Sequence, residues 1–171
     1  MSYANFVLRE GISNLKIIDN KLVVTGNGNN VYWYDLSGCN SLIRLMKTCQ
    51  SNPTILSFDG KIRAMDFPKS KKGVQGLLTS TAGTIWYVDW EERVTIKLTT
   101  WHNGLKNIQS MVYSREKDRL ITSATDFSVK VWKCQDSFEE DVDFYIINKV
   151  CMCLDSSQNC LVGGFSDGTV R

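Results

Sequence analysis

Apolar and polar residues alternate along this chain in short runs, and the runs recur. KLVVTGNGNNVYWYDL (21–36), QGLLTSTAGTIWYVDW (75–90) and DRLITSATDFSVKVWK (118–133) share one layout. An apolar stretch ends in small residues, a turn follows, and an alternating stretch closes the unit. Alternation with a period of two puts successive side chains on opposite faces, which predicts two strands joined as a hairpin. Gly, Asn, Asp and Ser in the turns suit positive φ and side-chain turn bonds. A fourth stretch, NCLVGGFSDGTVR (159–171), begins in the same way.

With the turns aligned, the alternating strands end at Tyr34, Val88 and Trp132, spaced 54 and 44 residues apart. The next equivalent position is 173. Each unit also has an earlier apolar strand: NLKIID (14–19), KIRAMDF (61–67), NIQSMVYS (107–114) and KVCMCLD (149–155). Each complete unit has a later one: SLIRLM (41–46), RVTIKL (93–98) and DFYIIN (143–148). No useful length of chain shows a period of 3.6. Four short strands per repeat of about 40–55 residues is the layout of a propeller blade. Both faces of a unit are apolar, Val31 and Trp33 against Tyr32 and Tyr34, then Ile85 and Tyr87 against Trp86 and Val88. A blade packed between neighbours needs that.

The predicted fold class is therefore all-β, a partial β-propeller forming a single domain over 1–171. Blades are expected at 13–46, 61–99 and 106–148, with an incomplete one at 149–171. Residues 3–8, around NFVL, read as the outer strand of a preceding blade. Ser166-Asp167-Gly168-Thr169-Val170-Arg171 reads as a turn and the start of a strand, so the segment is expected to be a piece of a larger propeller. It is not expected to fold without the remaining blades, because one blade cannot bury both its faces.

The repeat resembles the WD40 family. TWHNG (100–104) stands where that family has Gly-His, with Trp101 replacing Gly. ITSATDFSVKVW (121–132) matches its Ser…Asp-Gly-x-Val-x-x-Trp pattern, with Phe127 in the Gly position, and FSDGTVR (165–171) matches as far as it goes. Tyr34-Asp35 and Val88-Asp89 occupy the Trp-Asp position in the first two units. More narrowly, GTIWYVDWEERVTIKLTTWHNG (83–104), YIINKVCMCLD (145–155) and GGFSDGTVR (163–171) resemble the large centriole- and cilium-associated WD40 proteins. That resemblance implies tandem propellers and association with microtubules of centrioles and axonemes. The connection KTCQSNPTILSFDG (47–60) departs from the pattern.

Composition narrows the function classes only slightly. Lys plus Arg is 20 and Asp plus Glu is 18, a net charge of +2 that gives no general pull toward nucleic acid. No apolar run approaches the ~18 residues of a membrane span, and MSYANFVLREG lacks the basic and apolar regions of a signal peptide. Six cysteines (39, 49, 134, 151, 153 and 160) form no CxxC pair, and the chain has one histidine, so no zinc site is expected. Reduced, buried thiols are expected instead, and with them a cytoplasmic or cytoskeletal setting.

His102, Ser123 and Asp126 are the residue types of a hydrolase triad. The family resemblance implies something else: a buried tetrad in which Asp126 orients His102, Ser123 links to the ring, and the Trp132 indole donates to the serine. Such a network satisfies polar groups that burial would otherwise penalise. Two charged clusters are candidate partner contacts. Lys69, Lys71 and Lys72 lie between the first two strands of the second unit, and Glu139, Glu140 and Asp141 between the last two strands of the third. In a propeller both connections emerge at one face. The lysines suit an acidic surface such as tubulin, whereas three lysines without an aromatic platform are a poor nucleic-acid site. TGNGNN (25–30) lacks the Lys-Ser/Thr of a phosphate loop and leads into a strand, so it reads as a hairpin turn. The expected function is a non-catalytic scaffold for proteins, among them tubulin and microtubule-associated proteins, without cofactor or metal. The alternative is a WD40 adaptor in ubiquitin ligation, RNA processing or trafficking.

Overall fold

The computed structural model describes residues 10–37, 53–67, 75–100, 102, 107–114, 116–133, 139–145, 148–157 and 160–171. Fourteen strands and no helix occur among them, so no described helix is long and apolar enough to cross a membrane. The chain folds as two compact units, 1–62 and 63–171.

In the first unit β1 (Ile12–Ile18), β2 (Lys21–Gly26), β3 (Asn30–Asp35) and β4 (Thr54–Ser57) form one antiparallel sheet in that order. Leu22, Val24 and Tyr34 share a face and a buried cluster, as the two-residue period requires. The Glu10 carboxylate accepts hydrogen bonds from Gly28 N and the Tyr32 hydroxyl, each at 2.5 Å. The bond to Glu10, helped by burial, raises the Tyr32 pKa. The fourth strand was expected at 41–46, which lies outside the described residues. The strand hydrogen-bonded to β3 is β4, inside the stretch read as a connection. Thr54-Ile55-Leu56-Ser57 does alternate, but it is too short to stand out from sequence alone.

The second unit holds three sheets. β5 (Ile62–Asp66), β6 (Gln75–Ser80), β7 (Thr84–Asp89) and β8 (Val94–Thr100) make one. β9 (Ile108–Ser114), β10 (Arg119–Ala124), β11 (Ser128–Lys133) and β12 (Glu139–Tyr145) make the next, and β13 (Cys151–Ser156) with β14 (Leu161–Phe165) the last. Beyond the β14 turn the chain bridges Val170 to Gly164, and Gly163 and Arg171 exchange backbone bonds, beginning a third strand.

The third sheet shows why its strands read as apolar on both faces. On β10, Leu120 and Ala124 join Leu77, Ile85, Ile108, Met111 and Trp132 in one buried cluster. The intervening Ile121 turns the other way, to Val129, Cys151 and Phe165. Sheet therefore packs on sheet on both sides, and each fully buried aliphatic side chain contributes about 1.5–3 kcal/mol. Polar bonds cross the same seams: Tyr113 N donates to Asp66 Oδ2 at 2.8 Å and Leu154 N to Ser110 Oγ at 3.0 Å.

β12 begins four residues earlier than the expected strand at 143–148. Its first residues are Glu139, Glu140 and Asp141, with a bulge where Trp132 pairs Glu140 and Val131 pairs Val142. The acidic run thus lies in the strand, not in a connection. Charged residues at the start of a strand are compatible with ladder bonds, which need only the backbone. Residues 3–8 lie outside the described residues.

Candidate functional site

The turn between β10 and β11 carries the densest polar network of the second unit. Asp126 Oδ1 accepts from Ser128 N at 3.0 Å and from the Ser128 hydroxyl at 2.6 Å, which closes the turn. His102, 3% exposed, is held from both sides of its ring. Nδ1 lies 3.1 Å from Asp126 Oδ2 and 2.9 Å from Ser128 Oγ. Nε2 lies 2.9 Å from Thr122 Oγ1, which also accepts from Trp132 Nε1 at 2.9 Å. The His102 and Trp132 rings meet edge to face, 6.3 Å between centroids.

One proton arrangement satisfies the centre. Trp132 N–H donates to Thr122, the Thr122 hydroxyl to Nε2, and Nδ1–H to the carboxylate and Ser128. The tautomer is assigned from this network. Burial pushes the Asp126 carboxyl up, but the Ser128 bonds and the neighbouring imidazole outweigh it, and its pKa is lowered.

Of the residues singled out in sequence, His102, Asp126 and Trp132 come together and Ser123 does not. Ser123 Oγ donates instead to the Cys151 carbonyl at 2.9 Å, across the seam to the last sheet. The reason is the pleat: adjacent residues on β10 face opposite ways, so only one of Thr122 and Ser123 can reach His102. Sequence reasoning also missed Ser128, although Asp-x-Ser at a turn is a signal for this closure. Ser123 is therefore not a nucleophile for His102, and the two hydroxyls that do touch the ring are buried and engaged within the network.

Phe127 is the other feature of this turn. It adopts φ +67°, where the matching turns of the neighbouring sheets place Gly83 at +79° and Gly168 at +81°. The last sheet repeats the closure: Thr169 N and its hydroxyl both donate to Asp167 Oδ1, at 3.2 and 2.7 Å. Asp167, with Lys149 close by, has its pKa lowered to about 2, chiefly by these Thr169 bonds.

Lys69, Lys71 and Lys72 lie outside the described residues. A cleft of about 290 Å³ has Asp66, Ser114, Glu116 and Asp155 in its lining. Asp66 and Asp155 occupy the same place in their inner strands, one residue after Met65 and Leu154, a recurrence that sequence inspection missed. Among the described residues no group of His, Cys, Asp or Glu could hold a metal ion. Cys151 is buried, which raises its pKa, while Cys153 and Cys160 are exposed free thiols.

No family model matches the chain. It is similar to WD repeat-containing protein 90 of Mus musculus, 32% identical over 124 residues that make up 68% of this chain and 6% of the relative. The Homo sapiens protein of that name is 31% identical over 124 residues, 68% of this chain and 7% of the relative. The chain thus spans less than a tenth of these relatives' length. Among solved structures it resembles U3-55K (TM-score 0.75, 15% identity, 96% of this chain and 49% of that one). It also resembles the RRP9 WD40 repeats (TM-score 0.74, 15% identity, 96% and 48%). The computationally designed Ika4 protein matches at TM-score 0.72 and 17% identity over 96% of this chain and 91% of that one. At such identities the structures speak for the fold alone. Four-stranded antiparallel sheets, the His102 centre and these relatives together make the chain a WD40-repeat protein with a partial β-propeller fold.

Proposed function

We propose that this chain is a non-catalytic part of a protein-interaction scaffold, within a large WD40 protein of centriolar or ciliary microtubules. The observation that carries the scaffold reading is the engagement of the His102 centre. Its imidazole, carboxylate and hydroxyls are bound to one another, and a triad would need an accessible nucleophile and a site for the reacting group. What such a blade offers to partners is its rim and turns. The microtubule reading is supported by the resemblance of 83–104, 145–155 and 163–171 to centriole- and cilium-associated WD40 proteins. Tubulin and the basic run Lys69, Lys71 and Lys72 remain the proposed pairing of partner and contact there, with Glu139, Glu140 and Asp141 as the acidic counterpart. The remaining blades of the propeller are the chain's other proposed neighbours.

Tagging the full-length protein in its native cell tests the location. Signal at basal bodies, centrioles or axonemes is expected. A diffuse or nuclear signal overturns the microtubule reading and leaves the generic adaptor. Crosslinking in the same cells tests the scaffold reading: specific protein adducts are expected, and their absence overturns it.

A further inference from the structure

β8 ends its sheet, and among the described residues no strand pairs with its outer edge. An edge strand turns backbone N–H and C=O groups outward, a template for pairing with another extended segment. The outer strands of the other two four-stranded sheets carry features that discourage this. β4 has only four residues, and β12 carries Glu139, Glu140, Asp141 and Asp143 among its seven. β8 is seven residues long, VTIKLTT, with a single charge. Val94, Thr95, Ile96 and Lys97 are exposed, Ile96 at 48%, while Leu98 packs against the buried cluster of Leu77 and Trp132. The edge is therefore open over 94–97 and anchored at Leu98.

Two rows of side chains cross the sheet and end on this edge. On one face Leu77 pairs with Tyr87 and Tyr87 with Ile96, an apolar row that runs from the core outward. On the other face Leu78 pairs with Trp86 and Trp86 with Lys97, whose ammonium lies 5.8 Å from the Trp86 ring centroid. The next place in the first row suits an apolar residue, and the next in the second a carboxylate. We propose that β8 receives a fifth strand: an extended segment of a partner protein, in which an acidic residue is followed by apolar, polar and apolar ones. Antiparallel addition, the pairing used throughout this sheet, sets them opposite Lys97, Ile96, Thr95 and Val94 in that order. The proposal rests on the scaffold reading above and names one contact of it. The ladder supplies affinity and the two rows supply specificity. A second copy of β8 matches less well. Centred on Ile96 it sets Lys97 against Thr95, and centred on Thr95 it sets Lys97 against Arg93.

The test uses the full-length protein and a fluorescent peptide with Glu-Val-Thr-Val between Gly-Ser flanks, read by anisotropy. Saturable binding is expected. Val94→Lys with Ile96→Lys is expected to weaken it by roughly tenfold, because the apolar row is lost and the edge gains charge. N-methylation of the peptide's amides removes ladder donors but keeps its side chains, and weakens binding likewise. Lys97→Glu is expected to shift preference roughly threefold toward a Lys-Val-Thr-Val peptide. If the double variant fails to fold, this exchange at an exposed residue carries the test. No binding, unchanged affinity in the folded double variant, equal binding of the N-methylated peptide, or an unshifted preference overturns the proposal. So does self-association of the protein that the double variant abolishes, which gives the edge to a second copy. Failure of the peptide with native crosslinks intact removes this contact and keeps the scaffold reading. Absence of native crosslinks overturns that reading and the proposal with it.

Discussion

The second and third sheets place opposite chemistry at the same positions. Counting from the turn, Thr122 and Trp132 of the third sheet correspond to Leu78 and Val88 of the second, and Asp126 corresponds to Ala82. In the third, a histidine, an aspartate, two hydroxyls and an indole satisfy one another. In the second, Leu78 and Val88 are fully buried and simply pack. The first sheet goes the apolar way as well, with Val24 and Tyr34. The strands are built alike in all three. The polar centre is therefore not what makes a blade. A well-packed apolar pair can replace a buried polar network without loss, whereas a network with one member missing is costly. The chain has a single histidine, and the sheet that receives it also has every partner it needs.

That contrast predicts unequal responses to mutation, measured by denaturant or thermal unfolding of the full-length protein. The largest effect is expected for His102→Ala, which leaves the Asp126 carboxylate and the Thr122–Trp132 pair without their shared partner and costs about 3 kcal/mol or more. Stability equal to wild type would mean that the network contributes nothing.

Leu78→Thr in the second sheet follows, at about 2 kcal/mol, because the hydroxyl enters an apolar site with no imidazole to meet it. A neutral result would show that the two sheets are interchangeable here.

Thr122→Val should cost about 1–3 kcal/mol and Ser123→Ala about 1 kcal/mol, since Val keeps the shape but strands two buried polar groups, whereas Ala removes one bond across the seam. The reverse order would put Ser123, not Thr122, in the His102 centre.

Asp126 supplies a pH test. Its folded-state pKa is depressed, so the unfolded chain takes up the proton first as pH falls. The stability it contributes is present above the ordinary carboxylate value of about 4 and is lost as pH drops through the lower folded value. Asp126→Asn should flatten that part of the stability-versus-pH curve. An unaltered acid limb would remove Asp126 as its cause.

The smallest effect has the opposite sign. Phe127→Gly should stabilise by about 1 kcal/mol, because a non-glycine side chain at positive φ is strained and the matching turns already use glycine. Destabilisation would mean that the half-exposed phenyl ring makes contacts that outweigh the strain.

The sequence by itself determined the paired hairpin strands of each unit, their repetition and the closing turns. These depend on local physics: a period of two in the apolar residues, and Gly, Asp and Ser where a turn needs them. It also brought His102, Asp126 and Trp132 to notice as one group through family resemblance. Only the tertiary structure decided which hydroxyl joins them. Thr122 and Ser123 are chemically alike neighbours, and the choice depends on which face of β10 turns toward His102. The start of β12 at Glu139 and the pairing of Thr54–Ser57 with β3 were likewise settled by ladder partners far away in sequence. The acidic cleft was the least legible, because Asp66, Glu116 and Asp155 stand 50 and 39 residues apart and meet only where three sheets bring their strand ends together.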